Sequence, residues 1–309
     1  MDMNITKRSC KKDQCYWDWR FFLSAREGFG KILSLSSMKG KTILMPAYIG
    51  YSTREGSGVM DPVKTADVPF EFYHLDAGLR IDTVHLKQLI VRHAGQILLL
   101  IHYFGFVDPQ YTEIMAFARQ NGMVIIEDFA HALFTFLKSD IREFDFAFFS
   151  IHKMLPFENG GMILSRKGID APSGSEDLKR EFPLFDFDYE AIIRKRVMNY
   201  DTIKNFLDAS DIKDRIMILR PELGQTVPQT FPILTADRIV RDRLYFGLNE
   251  QGFGAVSLYH TLIAEIGMEF KTERSISDRI LNLPVHQDCS EEQLILMMQV
   301  LRKLIKEQV

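Results

Sequence analysis

Short apolar runs that do not alternate with polar residues recur through the first half of this chain, separated by segments whose apolar residues repeat at helical spacing. Ile97 to Ile101 and Met123 to Ile126 have no polar face to turn toward water, so as strands they must be covered on both sides. Strand, helix and strand in succession build an α/β fold with a mostly parallel sheet flanked by helices. Strands are expected at 42–47, 69–73, 97–102, 123–127, 145–149 and 161–165. Helices are expected over 81–93, after Asp82 as a cap, and over 109–120, where Pro109 follows Asp108 and Gly122 stops the run.

At 309 residues the chain exceeds the roughly 250–300 at which a single core stops growing. Its texture changes near residue 170, where Ala171-Pro-Ser-Gly-Ser-Glu176 reads as a linker. Beyond it, helices are expected at 189–207, 236–249 and 290–306, with short extended pieces at 231–234 and 280–283. The expected division is a large lobe over 1–170 and a smaller α+β lobe over 171–309. A net charge of −3, with no basic block beyond Lys7-Arg8 and Lys11-Lys12, argues against nucleic acid as a partner. The cysteines at 10, 15 and 289 are odd in number and complete no zinc spacing, which fits a reduced, cytoplasmic protein without a metal. No apolar run approaches the ~18 residues of a membrane span, and the polar start Met1-Asp-Met-Asn-Ile5 is not expected to be a signal peptide.

In open α/β sheets, ligands gather at the carboxyl ends of the strands, and Asp128, His102 and Lys153 all fall at such ends. An acid at one strand end and a lysine in the next connection suit pyridoxal phosphate, one group for the ring nitrogen and one for the aldehyde. Taken singly, each residue also has a plainer role: Asp128 as a helix cap, His102 as a core-edge histidine, Lys153 as a surface lysine.

Three segments read together narrow the choice. Leu98-Leu-Leu-Ile-His102-Tyr-Phe-Gly105, Ile126-Glu-Asp128-Phe-Ala-His131-Ala132 and Phe149-Ser-Ile-His-Lys153-Met-Leu-Pro-Phe-Glu-Asn-Gly160-Gly161 resemble, in order and spacing, the DegT/DnrJ/EryC1/StrS family. Those proteins are pyridoxal-phosphate-dependent aminotransferases with the aspartate aminotransferase fold. Phe22-Leu-Ser24-Ala-Arg-Glu-Gly28, Leu44-Met-Pro46-Ala-Tyr48, Val227-Pro228, Phe231-Pro232 and the stretch from Ser277 to Gln287 extend the resemblance from about residue 20 to the end.

The resemblance implies a role for each matching residue. Asp128 pairs with the pyridine nitrogen, and Lys153, seven residues before Gly160, joins the aldehyde and afterwards moves protons. His131 faces the phenolic oxygen. Ser24, Ala25 and Arg26 open a helix whose free N–H groups suit the phosphate, and the Ser150 hydroxyl stands nearby. Asn199, on a helix with Arg194, Arg196 and Tyr200, reaches across a homodimer, or else belongs to a solvated helix face. Three positions depart from the family pattern: Gly50 stands where many members carry a ring-stacking aromatic, Phe148 where many carry a hydroxyl, and Ala25 where the helix usually opens on glycine. Tyr48, Tyr51 and His102 are the candidates to stack instead. The segment from Gly50 to Pro62 is either a substrate or phosphate loop or a flexible connection.

The activity so implied takes an amino group from an amino acid, glutamate, to a keto group on a nucleotide-linked sugar, in the nucleotide-sugar chemistry that serves products such as lipopolysaccharide. Two alternatives stay open. One is a dehydratase, in which histidine replaces the lysine, and His152 adjoins Lys153. The other is a protein that binds cofactor or partner without turnover. A nicotinamide enzyme is disfavoured, since no Gly-Xaa-Gly-Xaa-Xaa-Gly follows a strand.

Overall fold

The computed structural model describes residues 17–139, 143–175, 177–178 and 187–307. Cys10, Cys15 and Glu176 lie outside the described residues. Seven strands, β1 (Trp17–Phe22), β2 (Ile43–Pro46), β3 (Phe70–Tyr73), β4 (Ile97–Ile101), β5 (Val124–Asp128), β6 (Phe146–Ser150) and β7 (Gly161–Arg166), form one sheet in the order β1-β7-β6-β5-β4-β2-β3. From β3 to β6 all neighbours are parallel, whereas β7 runs antiparallel to β6 and β1 antiparallel to β7. The six expected strands are present, each shifted by no more than one residue at either end.

The runs without alternation are explained by what covers them. Leu98, Leu100 and Ile125 join one apolar cluster, while Ile97, Leu99 and Ile126 join a second on the opposite face. Each face is therefore sealed from water, as parallel sheets require.

The connecting helices are α1 (Ala25–Leu33), α2 (Met60–Thr65), α3 (Thr83–Arg92), α4 (Tyr111–Gln120) and α5 (Leu133–Lys138). Asp82 caps α3 as expected, its carboxylate accepting the His85 N–H at 3.0 Å. The next helix begins at Tyr111, later than expected, because the Asp108 carboxylate is spent otherwise. It accepts the Ile81 N–H at 2.7 Å and the Gln110 N–H at 2.8 Å, fastening the entrance of α3 instead of capping α4.

Beyond residue 187, α6 (Tyr189–Asp208), α7 (Arg238–Asn249) and α9 (Glu291–Lys306) pack together beside a three-stranded antiparallel sheet. That sheet holds β8 (Met217–Ile218), β9 (Thr230–Leu234) and β10 (Ile280–Pro284) in the order β10-β9-β8, and α8 (Lys271–Arg279) leads into β10. Ser290 opens α9 with a capping box, its hydroxyl and the Gln293 side chain satisfying each other's backbone N–H. The larger apolar cluster runs from Leu98 through Phe231 and Leu283 to Leu301, so the two sheets share a continuous interior. Among the described residues, no helix is long and apolar enough to cross a membrane.

Candidate active site

Asp128 ends β5, buried, opposite Phe148 in the β5–β6 register. Its Oδ1 accepts the Ala130 N–H at 2.8 Å. Burial pushes its carboxyl up to about 6, held back by that N–H and by the charges of Lys153 and His102. Glu127, one residue earlier, faces the other side of the strand, as the period of two dictates. There it is fully engaged, with His102 Nε2 at 2.6 Å and the Tyr111 hydroxyl donating at 2.7 Å.

Lys153 comes from the β6–β7 connection, and its Nζ lies 3.2 Å from His131 Nε2. The residue as a whole is exposed, yet its amine end is enclosed between His131 and the charge of Asp128. Enclosure lowers the amine's pKa, partly offset by Asp128 and Glu55. Burial, and then the charge of Lys153, hold His131 well below the ordinary histidine range, so its ring is neutral near pH 7. Lys153, not His152, reaches His131; His152 is exposed, with Nδ1 3.3 Å from Ser150 Oγ.

His131 Nδ1, buried in this cluster, has no hydrogen-bond partner, and neither has Oη of the buried Tyr48, whose ring packs on Tyr103 and Tyr259. Leaving such a group unpaired costs ~1–3 kcal/mol. An unpaired histidine nitrogen beside a lysine and a buried acid marks a place that a polar ligand completes.

On the other flank, Ser24 caps α1, its Oγ accepting the Glu27 N–H at 3.1 Å, and Ala25 and Arg26 begin the helix. Gly161 brings this helix start to the lysine connection: a Cβ there would lie 2.0 Å from the Ser24 carbonyl carbon, so no other residue fits without displacing α1. Phe148 stacks on Phe29 of α1 at 4.7 Å, fixing the helix through an apolar contact. Ser150 is buried at the end of β6. Arg26 donates to the Glu55 carbonyl and pairs with Asp61 at 3.6 Å. The segment from Gly50 to Pro62 is a built turn, with Ser52 and Gly56 bonded to each other and the Asp61 carboxylate accepting the Ser57 N–H at 3.0 Å.

Asp128, His131 and Lys153 thus come together, with Ser24, Ala25, Arg26 and Ser150 along the adjoining edge and Tyr48 close by. His102 adjoins Asp128, its N–H donating to the Asp128 carbonyl at 3.1 Å, but its ring is spent on Glu127, and Asn199 of the same chain does not join the cluster. His102 is held by Glu127 and lies against Phe129 at 4.2 Å, the core-edge role. Asn199, buried on α6, donates to the carbonyls of Val285 at 3.2 Å and His286 at 2.8 Å, tying that helix to the end of β10. Tyr259 is a neighbour the sequence reading lacks. Its ring lies 5.7 Å from His131 and 5.4 Å from Tyr48, and only the bare Gly50 hinted at it.

Pyridoxal phosphate fits these residues: an acid for the ring nitrogen, an amine for the aldehyde, an unpaired histidine nitrogen and a helix start for the phosphate. Residues 72–171, which include Asp128, His131 and Lys153, match the DegT/DnrJ/EryC1/StrS aminotransferase family. No curated protein matches the sequence. Solved structures share the fold. The DegT/DnrJ/EryC1/StrS aminotransferase from Brucella abortus superposes with a TM-score of 0.71 at 16% identity, covering 92% of this chain and 85% of that one. Streptococcus pneumoniae Spr1654, described as a sugar aminotransferase and solved with PLP, gives 0.74 at 16% identity over 94% of this chain and 88% of its own. Helicobacter pylori PseC, an aminotransferase involved in the biosynthesis of pseudoaminic acid, gives 0.71 at 13% identity over 94% and 87%. The fold is that of the pyridoxal-phosphate-dependent aminotransferases, and the family match supports that cofactor and reaction class for this chain.

Proposed function

We propose that this protein is a pyridoxal-phosphate-dependent aminotransferase that carries an amino group from an amino-acid donor, glutamate, to a keto group on a nucleotide-linked sugar. The observation that carries the reading is Lys153 Nζ at 3.2 Å from His131 Nε2 beside a buried Asp128. When bound, pyridoxal phosphate supplies an aldehyde and an electron-withdrawing ring. Asp128 would hold a proton at the ring nitrogen, and a cation placed there returns its raised pKa toward the ordinary range. Lys153, its pKa lowered by enclosure, would take up and return a proton at Nζ. His131 is neutral and offers its free Nδ1 to a polar oxygen. The first turn of α1 and Arg26 would bind the phosphate through backbone N–H groups and positive charge.

A sugar acceptor is favoured by what PseC and Spr1654 are described as doing. The family resemblance implies a homodimer with shared sites, and the odd number of cysteines fits a cytoplasmic setting. The meeting of Lys153 rather than His152 with His131 favours transamination over the dehydratase alternative.

The test is direct. Protein incubated with pyridoxal phosphate should show a visible absorption band that glutamate shifts and borohydride bleaches, and peptide mapping after reduction should find the cofactor on Lys153. A panel of nucleotide-linked keto-sugars should then yield an amino-sugar with release of 2-oxoglutarate. Absence of the band, or attachment at another lysine, overturns the assignment.

A further inference from the structure

A flat heteroaromatic ring held between an acid and an amine needs a surface against its face. The aromatic residues that the sequence offers are otherwise placed. Tyr48 is fully buried with its ring 5.4 Å from Tyr103, Tyr51 is exposed, and His102 is bound to Glu127. Gly50 has no side chain to give.

Tyr259 lies over that glycine. A Cβ on Gly50 would come within 2.5 Å of Tyr259 Cδ1 and 3.2 Å of Cε1, so the ring rests on bare backbone. The same ring is 5.7 Å from His131, 5.6 Å from Tyr103 and 6.1 Å from Phe104, and its hydroxyl feels the charge of Asp128.

The segment is fastened there. Tyr51 N–H donates to the Thr261 carbonyl at 2.9 Å and Ile263 N–H to the Ile49 carbonyl at 3.0 Å, extending the end of β2 with chain from the carboxyl-terminal half. Ser277 Oγ donates to the Tyr259 carbonyl at 2.7 Å. Tyr259 itself has φ +60°, left-handed backbone that a bulky residue adopts at ~1–3 kcal/mol. A strained residue, tied on both sides, with its ring by His131 and its hydroxyl within reach of the Asp128 charge, is a residue placed for a ligand.

We infer that Tyr259 packs against the ring of the cofactor, and that position 50 is glycine because it must leave room for that tyrosine. The inference rests on the pyridoxal phosphate reading of this site. The aromatic face comes from the segment before α8 instead of from the end of β2, so cofactor binding is coupled to the seating of the carboxyl-terminal segment.

Cofactor-stripped protein titrated with pyridoxal phosphate, followed by absorbance and intrinsic fluorescence, tests it without any turnover. Tyr259→Leu and Tyr259→Ala should weaken binding about 10-fold or more, and Tyr259→Phe no more than about threefold. Gly50→Phe alone should weaken binding because its ring meets Tyr259, and Gly50→Phe combined with Tyr259→Ala should recover most of the loss. Circular dichroism melts confirm that each variant is folded, and Tyr259→Leu retains bulk if Tyr259→Ala does not fold. If Tyr259→Ala and Tyr259→Leu bind as tightly as the natural protein or more so, the ring occupies the cofactor's place and the inference fails. Wild-type protein that takes up no pyridoxal phosphate overturns the cofactor reading itself. A binding wild type with indifferent Tyr259 variants overturns only this inference.

Discussion

Two polar clusters start from adjacent residues of β5 and end in opposite ways. On one side Glu127 gives each oxygen a partner, His102 and Tyr111, and the histidine packs at a tilt against Phe129. On the other, Asp128 takes a single backbone N–H, and His131 beside Lys153 keeps a buried Nδ1 unpaired. The closed cluster joins the end of β4, β5 and α4 and has nothing left to offer a ligand. The open one is incomplete in the way a binding site is before its ligand arrives. Burial alone does not separate them; the count of satisfied atoms does.

The sharpest way to break this contrast is through the open cluster's amine. Lys153→Arg keeps a cation but removes the group that attacks and shuttles a proton. Transamination should fall about 10²–10⁴-fold, measured as 2-oxoglutarate formed from glutamate, with the melting temperature little changed. Comparable loss of stability would mean that Lys153 belongs to the packing.

The closed cluster should respond in the reverse sense. Glu127→Ala leaves His102 and Tyr111 without their partner and should cost about 3–5 kcal/mol of stability, read by denaturant unfolding. A loss of cofactor binding in folded protein with stability intact would erase the distinction.

Asp128→Asn should stabilise the cofactor-free protein. Its folded pKa of about 6 lies roughly two units above the ordinary aspartate value, which corresponds to at most about 3 kcal/mol. Because burial raises this acid, the native state holds its proton more tightly than the unfolded chain. The penalty is absent below about pH 4 and grows as the pH climbs through about 6. Paired melts at pH 8 and pH 4 should show the variant's advantage at pH 8 alone, with cofactor binding lost. A stabilisation independent of pH would contradict the buried charge.

Tyr111→Phe is the mildest probe. It removes one donor from Glu127 at 2.7 Å and should cost about 1.5–3 kcal/mol, while the open cluster's cofactor affinity stays as it was.

Much of the fold was legible because its strands carry their evidence locally. Ile97 to Ile101 and Val124 to Ile126 are apolar on both faces because both faces are covered, and that pattern needs no knowledge of partners. The spacing from Lys153 to Gly160 was legible only through the family resemblance, since what holds the glycine is not local. The glycine is set by φ +120° and by a near contact in which Gly160 N–H bonds the Leu23 carbonyl at 2.9 Å. β1 was not legible, since Trp17 to Phe22 becomes a strand by pairing with Gly161 to Arg166, far along the chain. His102 and Glu127 read as polar residues at strand ends, and nothing local reveals that each consumes the other. Tyr259 follows no pattern at all in its own segment, and its meaning depends on a missing side chain at Gly50.

The contacts that frame the site differ greatly in how far the chain must travel to make them, and that fixes an order of assembly. Ile151 N–H meets the Gly160 carbonyl at 2.9 Å across a short connection that closes with little loss of chain entropy. Tyr259 reaches Gly50 only when segments more than two hundred residues apart have met. Contacts of low sequence separation form early and those of high separation late. A chain emerging in order from its amino end would therefore set its lysine hairpin well before the tyrosine arrives to close over it, and the last step of folding would be the one that completes the pocket.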